Sequence, residues 1–305
     1  GPAVDSWRWR RRAAMASEEP PRVATSATTT AATAAMATEE RTWDIILFYK
    51  FVAVADPDAE VAWLRDVCAR HGLCGRVIVA TEGINGNLAA ARDDTDGDGA
   101  AVAAGVRAFV DALRAHAVFG GDDIDVKYDA HRAAAPVFGD LFIRSQAEIC
   151  SSGGTMPFEL LEQRRLGGAH LTPEQFHAVL EEYWGERDAA AAAASEQRKP
   201  LVVIDVRNRK EYQLGRFEAP DGRGVALDPS TKTYSEFAAF VDRHVDELKD
   251  KKVLMYCTGG IRCEKASAYM RARGIDDVSQ LSGGIHRYLE CFGGGGGDGG
   301  GYFHG

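Results

Sequence analysis

At 305 residues, with 45% hydrophobic and 27% charged residues, the chain has a globular composition and enough length for two ordinary domains. A formal net charge of -9 argues against binding nucleic acid through bulk positive charge, and leaves room only for a local basic groove. The six cysteines are dispersed without a C-x-x-C pair, which excludes a secreted disulfide framework and metal-ligand spacing and points to reduced thiols; no apolar run approaches the roughly 18 residues of a membrane span.

Residues 1–40 stand apart, with an early arginine cluster followed by a Ser/Thr/Ala-rich tract. That is the composition of an organelle transit peptide, or of a disordered leader. From residue 41 the pattern becomes regular. WDIILFYKFVAV (43–54) predicts a strand, and Asp56 and Pro57 supply the N-cap and first-turn proline of a helix that stops at Gly72. RVIVA (76–80) and GNLAA (86–90) predict two short strands joined by TEGIN, where Gly83 and Asn85 suit a tight turn. A second helical pattern follows an Asp/Gly-rich loop, and DIDVKYD (123–129) alternates as a strand does. The order β, α, β, β, α, β over residues 41–130 predicts an N-terminal ferredoxin-like, or acylphosphatase-like, domain.

Residues 131–169 predict one or two strands and a linker. Thr172, Pro173 and Gln175 then open a helix with a capping box. LVVIDV (201–206), KVLMYC (252–257) and the weaker DVSQL (277–281) are strand-like runs separated by helical segments. Such alternation over 170–292 predicts a doubly wound α/β domain with a parallel sheet. A polyalanine tract (190–194) fits a surface insertion, and the Gly-rich residues 293–305 predict a flexible tail that does not pack.

Cys257 ends one of these strands, where sites form in parallel sheets. Taken alone, a cysteine there is most simply a small buried hydrophobe. Here the loop Thr258, Gly259, Gly260, Ile261, Arg262 follows it, and a helix begins behind the loop. Backbone N–H groups of such a loop point at the sulfur, and a helix N-terminus with a nearby cation lowers a thiol's pKa from about 8.5 to roughly 3.5–7.5. The cysteine and Arg262 are separated by one residue fewer than in a phosphate-cradling loop of this design, which favours sulfur chemistry over phosphoryl chemistry. Cys263 is either a helix N-terminal residue without a role or a thiol that resolves an oxidised Cys257.

LVVIDVRNRKEYQLGRFEAP, KVLMYCTGGIRCEKASAYMRARG and LSGGIHRYLE together resemble a rhodanese domain. YCTGGIRCEKASA joined to a preceding TEGINGNLA resembles, more narrowly, the tRNA uridine hydroxylase family of rhodanese-domain proteins, including its plant plastid members. The resemblance implies oxygen-dependent hydroxylation of the anticodon wobble uridine to 5-hydroxyuridine, with tRNA as partner and Cys257 as catalytic residue, a cysteine persulfide in such proteins. Molecular oxygen would be the co-substrate; the residues identify no cofactor and no metal ligands. Asp205, Arg207 and Glu211 match the rhodanese D-x-R-x-x-x-E segment, with an ion-pair brace of the sheet end weighed above direct catalysis. Glu82 and Asn85 match E-G-I-N, with a turn role for Asn85 weighed above substrate contact.

Two departures qualify the transfer. Gly215-Arg216-Phe217 stands where rhodaneses carry Gly-His, and the Gly-rich end stands where many family members continue into a cysteine-rich tail, as though the chain were truncated or interrupted there. Two further readings stay open: a sulfurtransferase that forms a persulfide on Cys257 from a small sulfur donor, and a non-catalytic rhodanese-fold binding module. The leader and the plant resemblance together favour the chloroplast over the cytoplasm or mitochondrion. Oligomeric state is not encoded in any of these features.

Overall fold

The computed structural model describes residues 41–92, 102–121, 123–133, 137–185, 198–222, 224–293 and 301–305. The leader, most of the Asp/Gly-rich loop, the polyalanine tract and the Gly run at 294–300 lie outside these residues. Strand β1 (Arg41–Phe51) leads into helix α1 (Pro57–Arg70), where the Asp56 carboxylate accepts the Ala59 amide at 3.0 Å. Strands β2 (Cys74–Ala80) and β3 (Gly83–Ala91), helix α2 (Ala104–Ala115) and strand β4 (Asp125–Ala133) complete the βαββαβ unit. The sheet order is β4-β1-β3-β2, with β5 (Leu141–Ser145) added parallel to β2 at the edge. Alternate residues of β1 and β3, including Ile46, Phe48, Ile84 and Leu88, face the helices and meet Leu64, Phe109 and Leu113 in the core. The opposite face carries Tyr49, Asn85 and Lys127.

One part of the expected register is corrected. Thr81 and Glu82 alone form the turn between β2 and β3, and Asn85 lies within β3, paired with Ile78 and Tyr49. Seven residues of β2 and the first seven of β3 pair without interruption, so the ladder extends through Gly83 and leaves Asn85 no turn to make.

A short helix, α3 (Glu159–Glu162), lies in the connection to the second sheet. There follow β6 (Ala169–Leu171), α4 (Pro173–Trp184), β7 (Leu201–Asp205), α5 (Arg209–Leu214), β8 (Arg216–Phe217), α6 (Phe237–Leu248), β9 (Lys252–Tyr256), α7 (Ile261–Ala272), β10 (Val278–Leu281), α8 (Gly284–Phe292) and β11 (Phe303–His304). The sheet β6-β10-β9-β7 is parallel, with α4 and α8 on one face and α6 and α7 on the other. Val203, Leu254 and Tyr256 face the first pair, and Ile204, Met255 and Cys257 the second. Both sheets lie in one unit, Glu39–Gly305.

The end of the chain corrects the expectation of a tail that does not pack. Phe303–His304 pairs with Arg216–Phe217, Tyr302 is 5% exposed, and its hydroxyl donates to Glu181 at 3.0 Å. The Phe303 ring meets Phe217 edge-on at 5.4 Å. An aromatic cluster around Phe217 and Tyr288 supplies the apolar surface that the glycines themselves lack.

Candidate active site

Strand β9 delivers Cys257 to the carboxyl edge of the parallel sheet, fully buried. The chain then turns through Thr258 and Gly259 to Gly260, whose φ of 103° lies in the region glycine tolerates. That turn brings the Gly260 amide to 3.1 Å from the Cys257 sulfur. Burial by itself pushes the thiol pKa up. Against it act hydrogen bonding from the Cys263 side chain, the Arg262 charge, and the amides of Arg262 and Cys263, and the balance brings Cys257 down to about 6. Cys263 moves the other way, held well above the ordinary thiol range by burial and by its bond to the Cys257 sulfur. It therefore remains a protonated donor to a thiolate.

Arg262 starts the second position of α7 and reaches back to Glu211 through two contacts of 2.8 Å, the bidentate geometry a carboxylate offers a guanidinium. The same Glu211 closes the capping box of α5 by accepting the Asn208 amide, so one carboxylate fixes both a helix start and the loop cation. Thr258 donates to Glu211 at 3.3 Å and accepts from Arg262 at 3.2 Å. The Tyr234 hydroxyl donates to the Arg262 carbonyl at 2.6 Å. Asp205 and Arg207 form a second pair, whose guanidinium charge also acts on Glu211. The Asp205 carboxylate is fully buried, takes a bidentate contact from Arg207, and accepts the Tyr256 hydroxyl at 2.9 Å. They brace the end of β7, while Glu211 belongs to the thiol loop.

The first sheet forms a wall against that loop. A Cβ at Gly260 would stand 2.7 Å from the Tyr49 hydroxyl, and one at Gly259 would touch Lys127 Cε at 3.9 Å. Lys127 is 1% exposed, paired with Asp125 at 2.7 Å and set over the Tyr49 ring. Asp125 in turn takes Arg287 of α8 at 2.8 Å.

Glu82 and Asn85 both hold the Ile149 peptide. The Glu82 carboxylate, 4% exposed, accepts the Ile149 amide at 2.8 Å, and the Asn85 side chain donates to the Ile149 carbonyl at 3.0 Å. Together they grip one peptide on both sides and set Cys150, the next residue, in the electrostatic field of Cys257. Burial, with the Cys257 charge second, pushes the Cys150 thiol up to about 12. Glu82 also pairs with Lys265 at 2.8 Å, and Glu148 approaches the same ammonium at 3.4 Å.

Sequence reasoning did not single out Tyr49, Lys127, Cys150, Tyr234 or Lys265. Only Lys265 carried a signal, as a charged residue inside CTGGIRCEKA. No group of three or more His, Cys, Asp or Glu among the described residues is arranged to hold a metal ion, and no described helix is long and apolar enough to cross a membrane.

Two family models match the chain: the UPF0176 acylphosphatase-like domain over residues 43–149 and the rhodanese-like domain over residues 188–291. Rhodanese-like domain-containing protein 6 of Arabidopsis thaliana is 33% identical over 269 residues, covering 85% of this chain and 42% of that protein. A tRNA uridine(34) hydroxylase of Cytophaga hutchinsonii is 33% identical over 81% of this chain and 66% of its own length. Another protein so named, from Pseudarthrobacter chlorophenolicus, is 37% identical over 81% of this chain and 73% of its own length. The chain thus spans less than half of the first relative and just under two thirds of the second.

Proposed function

Because the chain belongs to the tRNA uridine(34) hydroxylase family, we propose that it hydroxylates the wobble uridine of tRNA anticodons, with molecular oxygen as co-substrate and Cys257 as the catalytic thiolate. The observation that carries this reading is that the two motifs meet in one site, through the Glu82–Lys265 pair. CTGGIRCEKA builds the cradle, and E-G-I-N holds the peptide beside it and pairs with the same motif's lysine. A thiol brought to about 6 is largely ionised at neutral pH and is the nucleophile of the site.

Nucleoside mass spectrometry of tRNA tests the reading. Cells lacking the protein are expected to lose 5-hydroxyuridine and nucleosides derived from it, and Cys257→Ser is expected not to restore them. Full restoration by Cys257→Ser would remove the role assigned to this sulfur.

A second reading draws support from the Gly260 amide, 3.1 Å from the sulfur, in a loop of sulfur-sized span. Attack of the thiolate on the sulfane sulfur of thiosulfate forms a Cys–S–S bond, breaks the S–S bond of the donor, and releases sulfite. Mass spectrometry after thiosulfate treatment is then expected to show one added sulfur at Cys257. An unchanged mass sinks this second reading and leaves the first intact.

A further inference from the structure

Beside the thiol loop, between the carboxyl ends of β6 and β10 and the end of β1, lies a cavity of about 340 Å³. That volume is at the small end of ligand sites, the size of a nucleoside. One wall is apolar, from Phe51 and Leu161, and Phe51 is held in place by stacking on Phe158 at 6.0 Å. The opposing wall is polar. Glu264 Oε1 accepts the Tyr49 hydroxyl at 3.2 Å and lies 2.7 Å from His170 Nε2, while Oε2 accepts from Gln280 Nε2 at 3.1 Å.

A carboxylate offers about four lone-pair sites. Three contacts therefore leave one acceptor position on Oε2. The His170 imidazole is half exposed, and the Glu264 hydrogen bond raises its pKa despite some desolvation. The remaining charges are committed: Lys50 to Asp123 and the Gly120 carbonyl, and Asp125 to Lys127 and Arg287. With its charges paired off, the cavity offers a ligand an apolar wall and two polar side chains, Glu264 and His170, which suits a neutral ring with hydrogen-bonding edges. Tyr49 lines this cavity and its hydroxyl borders Gly260 of the thiol loop, while Gly284, next to the lining residue Gly283, packs so closely on that loop that a Cβ there would stand 2.5 Å from the Cys257 carbonyl.

We propose that this cavity receives the uracil base of the flipped-out target nucleotide, with Phe51 and Leu161 along the ring and Glu264 and His170 at its hydrogen-bonding edge. The inference rests on the tRNA-modifying function proposed above. Uracil N3–H donates to the open Glu264 position, and a uracil carbonyl accepts from Nδ1–H of the imidazolium form of His170, whose Nε2–H is committed to Glu264. Cytosine presents a lone pair at N3, which the carboxylate repels. Glu264 is thus the specificity-determining residue for uridine over cytidine, in keeping with how enzymes read extruded bases at their pairing edge.

The test uses the full chain carrying Cys257→Ser and an anticodon stem-loop with 5-fluorouridine at the wobble position, observed by fluorine NMR. Binding is expected to displace the fluorine resonance. Adding His170→Ala, at a half-exposed position, or the isosteric Glu264→Gln is expected to return it toward the free-loop position while the stem-loop still binds. In the same titrations Glu264→Gln is expected to reduce discrimination against a stem-loop with cytidine at that position by about tenfold. A bound loop whose fluorine stays undisplaced, or is displaced and indifferent to both substitutions, overturns the cavity assignment and leaves the tRNA reading standing. A stem-loop that does not bind overturns both.

Discussion

Cys257 is a fully buried sulfur whose burial opposes ionisation, and its acidity comes from a few separable contacts that outweigh that burial. Arg262 is the one full positive charge among them, oriented by two bonds to Glu211. Arg262→Met is therefore expected to raise the half-titration point of Cys257 from about 6 toward the ordinary thiol value near 8.5. Arg262→Lys keeps the charge, loses the fork, and is expected to fall between. The sign is that of a depressed acid: the thiolate is lost as pH falls through about 6 in the native chain, and at higher pH in the Met variant. Far-ultraviolet thiolate absorbance, taken as a difference against Cys257→Ser, reads the titration directly. An unmoved midpoint in Arg262→Met would show that the amides and Cys263 alone hold the charge. The Cys-loop-Arg arrangement was legible in the sequence because loop, glycines and helix are local. Tyr49 and Lys127 were not, since they come from another sheet and their spacing along the chain carries no mark of the thiol they approach.

Two helices, α1 and α4, announced themselves through caps. Thr172 accepts the Gln175 amide while Gln175 accepts the Thr172 amide, as the capping-box pattern predicts, and Thr172→Ala is expected to cost about 1 kcal/mol in a denaturant titration. The βαββαβ order was equally readable, because hydrophobic period and turn residues are local signals. Three features were not. β5 joins β2 as a parallel partner across 60-odd residues of chain, a pairing no local pattern reports. Asn85 has the composition of a turn and the position of a strand, because its side chain is consumed by the Ile149 carbonyl. Tyr302 and Phe303 follow a glycine run that suggests nothing packs, yet they finish an aromatic cluster. Tyr302→Ala is accordingly expected to destabilise by about 3 kcal/mol, the range for truncating a buried aromatic. Equilibrium unfolding measures it; a change within about 0.5 kcal/mol, as at an exposed position, would return residues 301–305 to a tail.

Taken together, the two sheets are joined by charges that neither could bury alone. Lys265 of α7 is 2% exposed and lies between Glu82, from the β2–β3 turn, and Glu148, beyond β5. A buried ammonium without a partner is costly, and so is a buried carboxylate, so each sheet carries a defect that only the other repairs. Lys265→Met leaves two carboxylates facing an apolar side chain and is expected to destabilise by about 3–5 kcal/mol. Glu82→Gln leaves Lys265 with Glu148 and keeps the bond to the Ile149 amide, so its cost is expected to be smaller. In the double variant the unpaired charges are reduced to Glu148, which already accepts the amides of Ser152 and Gly154. Its loss is therefore expected to fall below the sum of the single losses by about 1–3 kcal/mol, the coupling found between residues in one buried network. The same cycle tests the connection to the thiol, because Tyr49 and the Ile149–Cys150 peptide reach the loop only while the first sheet is seated. Lys265→Met is expected to convert one unfolding transition into two in a calorimetric scan and to slow the hydroxylation proposed above even with Cys257 still titrating as a thiolate. Strict additivity together with a single transition would mean that these charges are solvated and that apolar contact alone holds the sheets together.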